Sequence, residues 1–576
     1  MWSNNKKVDT LVNILIFLVA INFFHYGQFI LPVICLILFV DRKFTFKVNN
    51  IKVFILLCLF GIAFCLFSYK LGFYCVMGFC LPMSYYIGSN IVNPNEENIK
   101  KLIYIIAFGM ASHIILNMVY SYSIKGEDLV ADRKDCVREN YLYTLRSHVL
   151  TKDYSSYEIN GYVFKNEKVS VDGYHELLDD GSVDYYYVNN CGYISSKYLN
   201  SEFYETGLDG SIYSDVFFRS GGDPSKVEYY EKDATNFKNN VMPDKVNALY
   251  INAEAIVSAD EYIDIANSTS GINAFVVDIK DCYIDTQLAY NSPVTSKYAP
   301  STSNIPNSYE TYRENIKKLK DAGYYLIGRI TAFKDDAFAY DNPQEALIYN
   351  GDLYEYGFVK WPSIYSRKMW EYNVALALEA VNEFGFNEIQ FDYCRLPEDV
   401  EDVELKNTYG ESRIEAITNF LRYAAEQLHN VGAYISADVF GETSGDDPNS
   451  FSAWSTSYGQ FWPAISNAVD AISSMPYPDH FGAYAYGIEE PWVDVYDLMY
   501  SWGKATHHAQ ENTYDKAKCR TWIMAQNSDP YDIEYTPSFI ADQIKGLKDA
   551  GVCDGYLTWN ASSSISKYYS YTDVLN

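Results

Sequence analysis

Two aspartates, Asp392 in EIQFDYCRLP and Asp438 in ISADVFGE, each sit near the end of a short run in which polar and apolar residues alternate. Glu388, Gln390 and Asp392 alternate with Ile389, Phe391 and Tyr393. Ser436 and Asp438 alternate with Ile435, Ala437 and Val439. A period of two places each aspartate on the polar face of a strand. Similar endings recur along the chain: Asp278 and Lys280 in VVDIKD, Arg329 in LIGRITAF, Arg395 just after Asp392, Tyr477 and His480 in MPYPDH, and Trp522, Trp559 and Asn560 in the last two runs. A single charged strand end is commonly a structural ion pair. Several on neighbouring strands point to a shared site, because burying unpaired charge is costly. Two carboxylates on adjacent strands are the minimum for glycoside hydrolysis: a neutral one protonates the leaving oxygen, and an ionised one attacks carbon or activates water. Asp392 and Asp438 form that pair, with Asp278 or Glu442 as alternative acids. Arg329 and Arg395 are expected to hold one carboxylate ionised, and burial or like charge to keep the other protonated. Trp361, Tyr477, Trp522 and Trp559 offer rings for sugar stacking. With Asp278, Lys280, Arg329, Glu388, Arg395, Glu442, His480 and Asn560 they make up the expected substrate contacts.

Eight strands are expected to carry these residues: Ala248–Asn252, Ala274–Lys280, Tyr324–Thr331, Glu388–Arg395, Ala433–Phe440, Ala471–Tyr477, Arg520–Gln526 and Tyr556–Asn560. Helical periods lie between them, among them Tyr312–Ala322, Arg367–Phe384, Ser412–Val431 and Pro537–Ala550. Eight strand-helix units over residues 244–576 predict an α/β fold, a (β/α)8 TIM-type barrel whose chemistry lies at the carboxyl ends of the strands. An open doubly wound sheet would want a glycine-rich phosphate turn after its first strand. Asn252-Ala253-Glu254-Ala255 is not one.

Other chemistries fit less well. His480 with Asp392 and Asp438 is a conceivable metal set of the polysaccharide deacetylase kind, but the chain has only eight histidines, and no metal or other cofactor is expected. A serine hydrolase lacks its G-x-S-x-G elbow. The net charge of −29 argues against a nucleic-acid partner, which requires a basic footprint. The eleven cysteines show neither a zinc spacing nor a disulfide framework.

Ahead of the barrel, residues 1–124 read as four or five membrane spans. Apolar runs fall near 10–40, 53–69, 71–92 and 102–124, with His25-Tyr26-Gly27-Gln28 dividing the first. Basic clusters at Lys6-Lys7, Arg42-Lys43 and Lys100-Lys101 are placed inside. This predicts a multi-pass cell-membrane protein, with the lipid bilayer as one partner and the large C-terminal domain outside the cell. Residues 125–150 read as a stalk, 151–201 as a small β module, and 202–243 as a polar linker. The piece CGYISSKYL, Cys191 to Leu199, resembles the closing strand of bacterial SH3-like cell-wall modules.

Over residues about 247 to 565 the chain resembles the glycoside hydrolase-like domain of bacterial cell-surface proteins. The matching blocks are FKDD from Phe333 to Asp336, Trp361-Pro362, and the long WEYNVALALEAVNEFGFNEIQFDYCRLP from Trp370 to Pro397. ISADVFG, Gly459-Gln460, MPYPDHF, Gln543, Ala550-Gly551 and TWNAS follow in the same order. Cys394 and Leu396 stand where that family usually has Val and Phe. The resemblance implies an alpha-amylase-like barrel acting on a cell-wall or capsular polysaccharide, with Asp392 as nucleophile and Asp438 as acid/base.

Overall fold

The computed structural model describes residues 141–575, apart from 205–206, 210–220, 233–235, 399, 401–402, 446–453 and 553. The expected membrane spans, and the expected stalk as far as residue 140, lie outside the described residues. Among the described residues no helix is long and apolar enough to cross a membrane.

Eight parallel strands close into a barrel: β1 (Val246–Ile251), β2 (Ala274–Cys282), β3 (Tyr325–Thr331), β4 (Glu388–Asp392), β5 (Tyr434–Phe440), β6 (Ala471–Met475), β7 (Lys518–Met524) and β8 (Gly555–Trp559). Each pairs with its sequence neighbours, and β1 pairs with both β2 and β8, so the sheet has no open ends. These are the eight expected strands, with ends moved by a few residues. Each is followed by a helix: α1 (Ala259–Asn267), α2 (Tyr309–Asp321), α3 (Arg367–Glu379), α4 (Arg413–Asn430), α5 (Trp462–Ala468), α6 (Val495–Glu511), α7 (Pro537–Ala550) and α8 (Ile565–Tyr571). This is a TIM-type barrel.

Alternation along each strand separates two cores. Ile389 and Phe391 of β4, and Ile435, Ala437 and Val439 of β5, pack outward in the large core shared with the helices. Val246, Ala248, Ala274, Val276, Ile327, Tyr434 and Leu557 face inward and fill the barrel. The turn into β4 shows how local sequence positions the site. α3 widens into a π-helical turn over Ala380–Phe384 and stops at Gly385, whose φ of 78° an L side chain rarely adopts. A Cβ there would also meet the Lys320 ammonium. The chain reverses at this glycine and enters β4 with Glu388, Gln390 and Asp392 pointing inward. α4 then starts at a capping box, in which Ser412 accepts from the Glu415 amide and Glu415 from the Ser412 amide.

Two boundaries differ from expectation. The antiparallel β module already includes strands Tyr141–Thr144 and His148–Thr151, ahead of the expected start at 151. Leu142, Val149 and Leu150 are buried, and the strand His148–Thr151 is buried at every position, so it shows no period of two. The described parts of the expected linker also form structure. Glu228–Tyr229 pairs with Leu208–Asp209, and Val227 and Tyr229 bury against Ile414, Phe461 and Ala464. The module is docked on the barrel. Glu371 of α3 accepts from the Ile159 amide at 2.6 Å, the Tyr162 hydroxyl donates to Glu411 at 2.9 Å, and His148 pairs with Glu426 of α4 at 2.8 Å.

Candidate active site

Arg329 of β3 stands between Asp278 of β2 and Asp392 of β4. Strand register places it there, with Asp278 opposite Arg329 and Asp392 opposite Thr331. Its Nη1 donates to Asp278 at 2.8 Å and to Asp281 at 3.2 Å. Its Nε and Nη2 donate to Asp392 Oδ2 at 3.1 and 2.7 Å. The other oxygen of Asp392 accepts from the Tyr393 amide at 2.6 Å. The Tyr250 hydroxyl of β1 donates to Asp278. Burial pushes the Asp278 carboxyl up to about 7, even against the opposing pull of Arg329.

Asp438, on the next strand, has a different environment. Its Oδ1 accepts from Trp522 Nε1 of β7 at 2.8 Å, while its Oδ2 is buried without a hydrogen-bond partner. Burial first, and the neighbouring Asp392 charge second, raise this carboxyl well above the usual range. The Trp522 hydrogen bond and Arg329 oppose the rise without cancelling it. The two aspartates thus have opposite surroundings, one ion-paired to a guanidinium and one, with its pKa raised, buried beside a neutral indole N–H. Around them the Trp559 ring lies 4.8 Å from Tyr250, 5.9 Å from Trp522 and 6.2 Å from Tyr477, with the Arg329 guanidinium 5.5 Å from its centre.

Residues 248–565 match the model of the family described as "Putative glycosyl hydrolase domain". The chain belongs to that family. No curated protein matches it. Among solved structures, a hypothetical protein from Ruminiclostridium thermocellum ATCC 27405 is 33% identical, covering 33% of this chain and 97% of that one, at a TM-score of 0.28. The spore cortex-lytic enzyme SleL of Bacillus cereus is 11% identical over 57% of this chain and 74% of that one, at 0.33. A GH18 chitinase from Pseudoalteromonas aurantia is 10% identical over 57% and 100%, at 0.35.

Within this glycosyl hydrolase-family barrel, Asp278, Arg329, Asp392, Asp438, Tyr477, Trp522 and Trp559 come together at the carboxyl ends of the strands. Trp522 was expected as a stacking platform. It is fully buried and instead presents its N–H to Asp438. Arg395 was expected to hold a carboxylate ionised. Among the described residues it makes no ion pair; its Nη1 donates to the Leu396 carbonyl, and its guanidinium lies among the rings of Phe440, Tyr393 and Trp361. Trp361 is likewise buried and forms wall. Glu442 lies half-buried on the turn after β5.

Four expected contacts lie elsewhere. A bulge between Asp278 and Lys280 turns Lys280 outward, where it pairs with Asp335 at 2.7 Å and donates to Asn373 at 3.0 Å. Glu388 lies deeper in the barrel, held by Arg520 at 2.7 and 3.1 Å and by the Tyr325 hydroxyl at 2.9 Å. Asn560 accepts from Ser562 and the Ser564 amide, fixing the turn into α8. The His480 side chain is 61% exposed. His480, Asp392 and Asp438 do not gather as metal ligands. Among the described residues the one such cluster is His175, Glu176 and Asp184, on the β module. Tyr250, Asp281, Tyr393 and Lys334 belong to the site and were not singled out by sequence. Tyr250 shares the inward parity of Ala248, the one signal that could have found it.

Proposed function

We propose that the chain is a glycoside hydrolase, anchored in the cell membrane by its N-terminal segment, that cleaves a cell-wall or capsular polysaccharide outside the cell with two carboxyl groups. The observation that carries this reading is the contrast between the aspartates. Burial and the Asp392 charge raise the Asp438 carboxyl, and one of its oxygens has no hydrogen-bond partner among the described residues. Asp392 is ion-paired to Arg329. In the reaction the Asp438 proton passes to the glycosidic oxygen as the bond from that oxygen to the anomeric carbon breaks. Asp392 stabilises the positive charge developing on carbon and attacks it, or takes a proton from the attacking water. Arg329 fixes Asp392 from two donor atoms. The anomeric configuration of the fresh product separates attack from water activation.

The test is incubation of the full chain with purified cell-wall and capsular glycans, followed by measurement of new reducing ends, with Asp392→Asn and Asp438→Asn as controls. Turnover by the wild type that each substitution lowers by at least 10³-fold supports the assignment. No product from any glycan, or product undiminished in both variants, overturns it. The complete burial of Asp438 favours a second reading, a barrel that binds glycan without cleaving it. That reading expects binding without product, unchanged by Asp392→Asn.

A further inference from the structure

Five lysines and arginines are buried among the described residues: Lys280, Arg329, Arg367, Arg395 and Arg520. Four pair with carboxylates, to Asp335, to Asp278 and Asp392, to Glu411 and to Glu388. Arg395 has no carboxylate within 4 Å among the described residues, although the protein carries 74 acidic side chains. A buried cation without a counter-ion is costly, and in a binding site that cost is recovered when an anionic ligand arrives.

Arg395 is not alone. Lys334, three residues past the end of β3, is half-buried and also lacks a carboxylate partner among the described residues. Its ammonium and the Arg395 guanidinium each lie 4.8 Å from the centre of the Tyr393 ring. The two strand ends are tied together, since the Ala332 amide donates to the Asp392 carbonyl at 2.6 Å and the Phe333 amide to the Tyr393 carbonyl at 3.2 Å. Tyr393 itself takes a φ of 49°, a left-handed conformation unfavourable for an aromatic residue. Strain of this kind persists where surrounding structure enforces it, often at ligand sites. It sets the ring that both cations share directly beside Asp392. Burial draws the proton affinity of both groups down, first by desolvation in each case.

We infer that Lys334 and Arg395 form an anion subsite beside Asp392, and that the glycan bound there carries a carboxylate or phosphate group. This rests on the glycan-processing reading above and narrows it to acidic polysaccharides. The guanidinium supplies a planar pair of donors and the ammonium a mobile point charge. Two local positive charges let an acidic protein hold an acidic polymer at the one place where repulsion would otherwise be greatest.

The experiment uses full-length protein bearing Asp392→Asn, so that binding is read without turnover. The probes are chitotetraose as a neutral glycan, tetragalacturonate as a carboxylated one, and a short poly(glycerol phosphate). Binding is followed by calorimetry at two salt concentrations. The expected result is that at least one acidic probe binds more tightly than chitotetraose, and that Lys334→Gln weakens it about tenfold and flattens its salt dependence. Which acidic probe responds identifies carboxylate or phosphate. Arg395→Gln should act in the same direction; because Arg395 is buried, Lys334→Gln decides where the arginine variant does not fold. Equal or tighter binding of the neutral glycan, binding of no probe, or acidic binding unchanged by Lys334→Gln overturns the subsite. Cleavage of neutral glycans alone by the wild type removes the subsite and leaves the hydrolase. Lys334-dependent acidic binding without any turnover does the reverse.

Discussion

Replacing Trp522 by Phe tests the assignment of Asp438 as the acid. The change removes the Nε1–H that donates to Asp438 Oδ1 at 2.8 Å and keeps most of the ring. That hydrogen bond favours the charged carboxylate and so lowers the pKa of Asp438. Without it the pKa rises. A hydrogen bond to a charged group contributes about 1.5–3 kcal/mol; at about 1.4 kcal/mol per pH unit this is a shift of about one to two units upward. The acid must be protonated to act, so the basic limb of the kcat/KM profile should move to higher pH by that amount. Asp392 and Asp438 are close enough to titrate together, so the limb reports the pair. The assay is initial rate against pH on whichever glycan the wild type cleaves, with the melting temperature measured alongside. A folded variant whose basic limb stays put, or moves down, refutes the role of Asp438. A limb that stays near pH 7 in both proteins assigns the acid to Asp278, whose carboxyl is raised to about 7.

The two charged residues placed outside the site should affect stability alone. Glu388→Gln leaves the Arg520 guanidinium buried without its counter-ion, and Lys280→Met does the same to Asp335; each should cost about 3–5 kcal/mol, read as a lower denaturation midpoint, with KM unchanged in the protein that remains folded. Acid should loosen the β module. Burial alone would raise Glu426, but the His148 charge outweighs it and holds Glu426 at about 2. A folded pKa below the unfolded one stabilises above the unfolded value, so this contribution is full above about pH 4.5 and is lost as pH falls through about 2. Protease cleavage between module and barrel should rise over that interval, and a Glu426→Gln variant should show no such dependence on this group.

Much of the barrel was legible because it obeys a rule with period two. Ile389 and Phe391 had to pack against helices, which left Gln390 and Asp392 facing inward. The same logic misplaced Lys280, because a bulge adds a residue and the parity carried from Asp278 then points the wrong way. It also misjudged Glu388, since parity gives the face of a strand and not the depth within the barrel; only the partner on β7, Arg520, shows that Glu388 lies below the mouth. Trp522 and Asn560 were read by residue type, as a ring and as a polar strand end. Their roles depend on which atom meets which neighbour: an indole N–H on Asp438, and an amide oxygen closing a turn. Lys334 appeared only as one letter of FKDD. Nothing local distinguishes it from a solvated lysine until Tyr393 and Arg395 are brought beside it from the next strand.

Asp392 and Asp438 end adjacent strands with the same parity, and nothing in their own segments assigns them different tasks. The difference comes from the flanking strands. β3 places a guanidinium on the Asp392 side, and β7 places a neutral indole on the Asp438 side. Had the arginine arisen on the Asp438 side, the ion pair would form with Asp438 instead, without any change in the aspartates. Arg329 is also outnumbered, with the carboxyls of Asp278, Asp281, Asp392 and Asp438 close around it. One guanidinium cannot neutralise four carboxylates, and this adds to the burial that is the main cause of the raised pKa values of Asp278 and Asp438. The proton that the proposed reaction needs is therefore favoured on Asp438 by burial and by the Asp392 charge, while Arg329 pairs with Asp392. The cations of the proposed anion subsite, Lys334 and Arg395, stand just beyond that crowding, on the ring of Tyr393 next to Asp392.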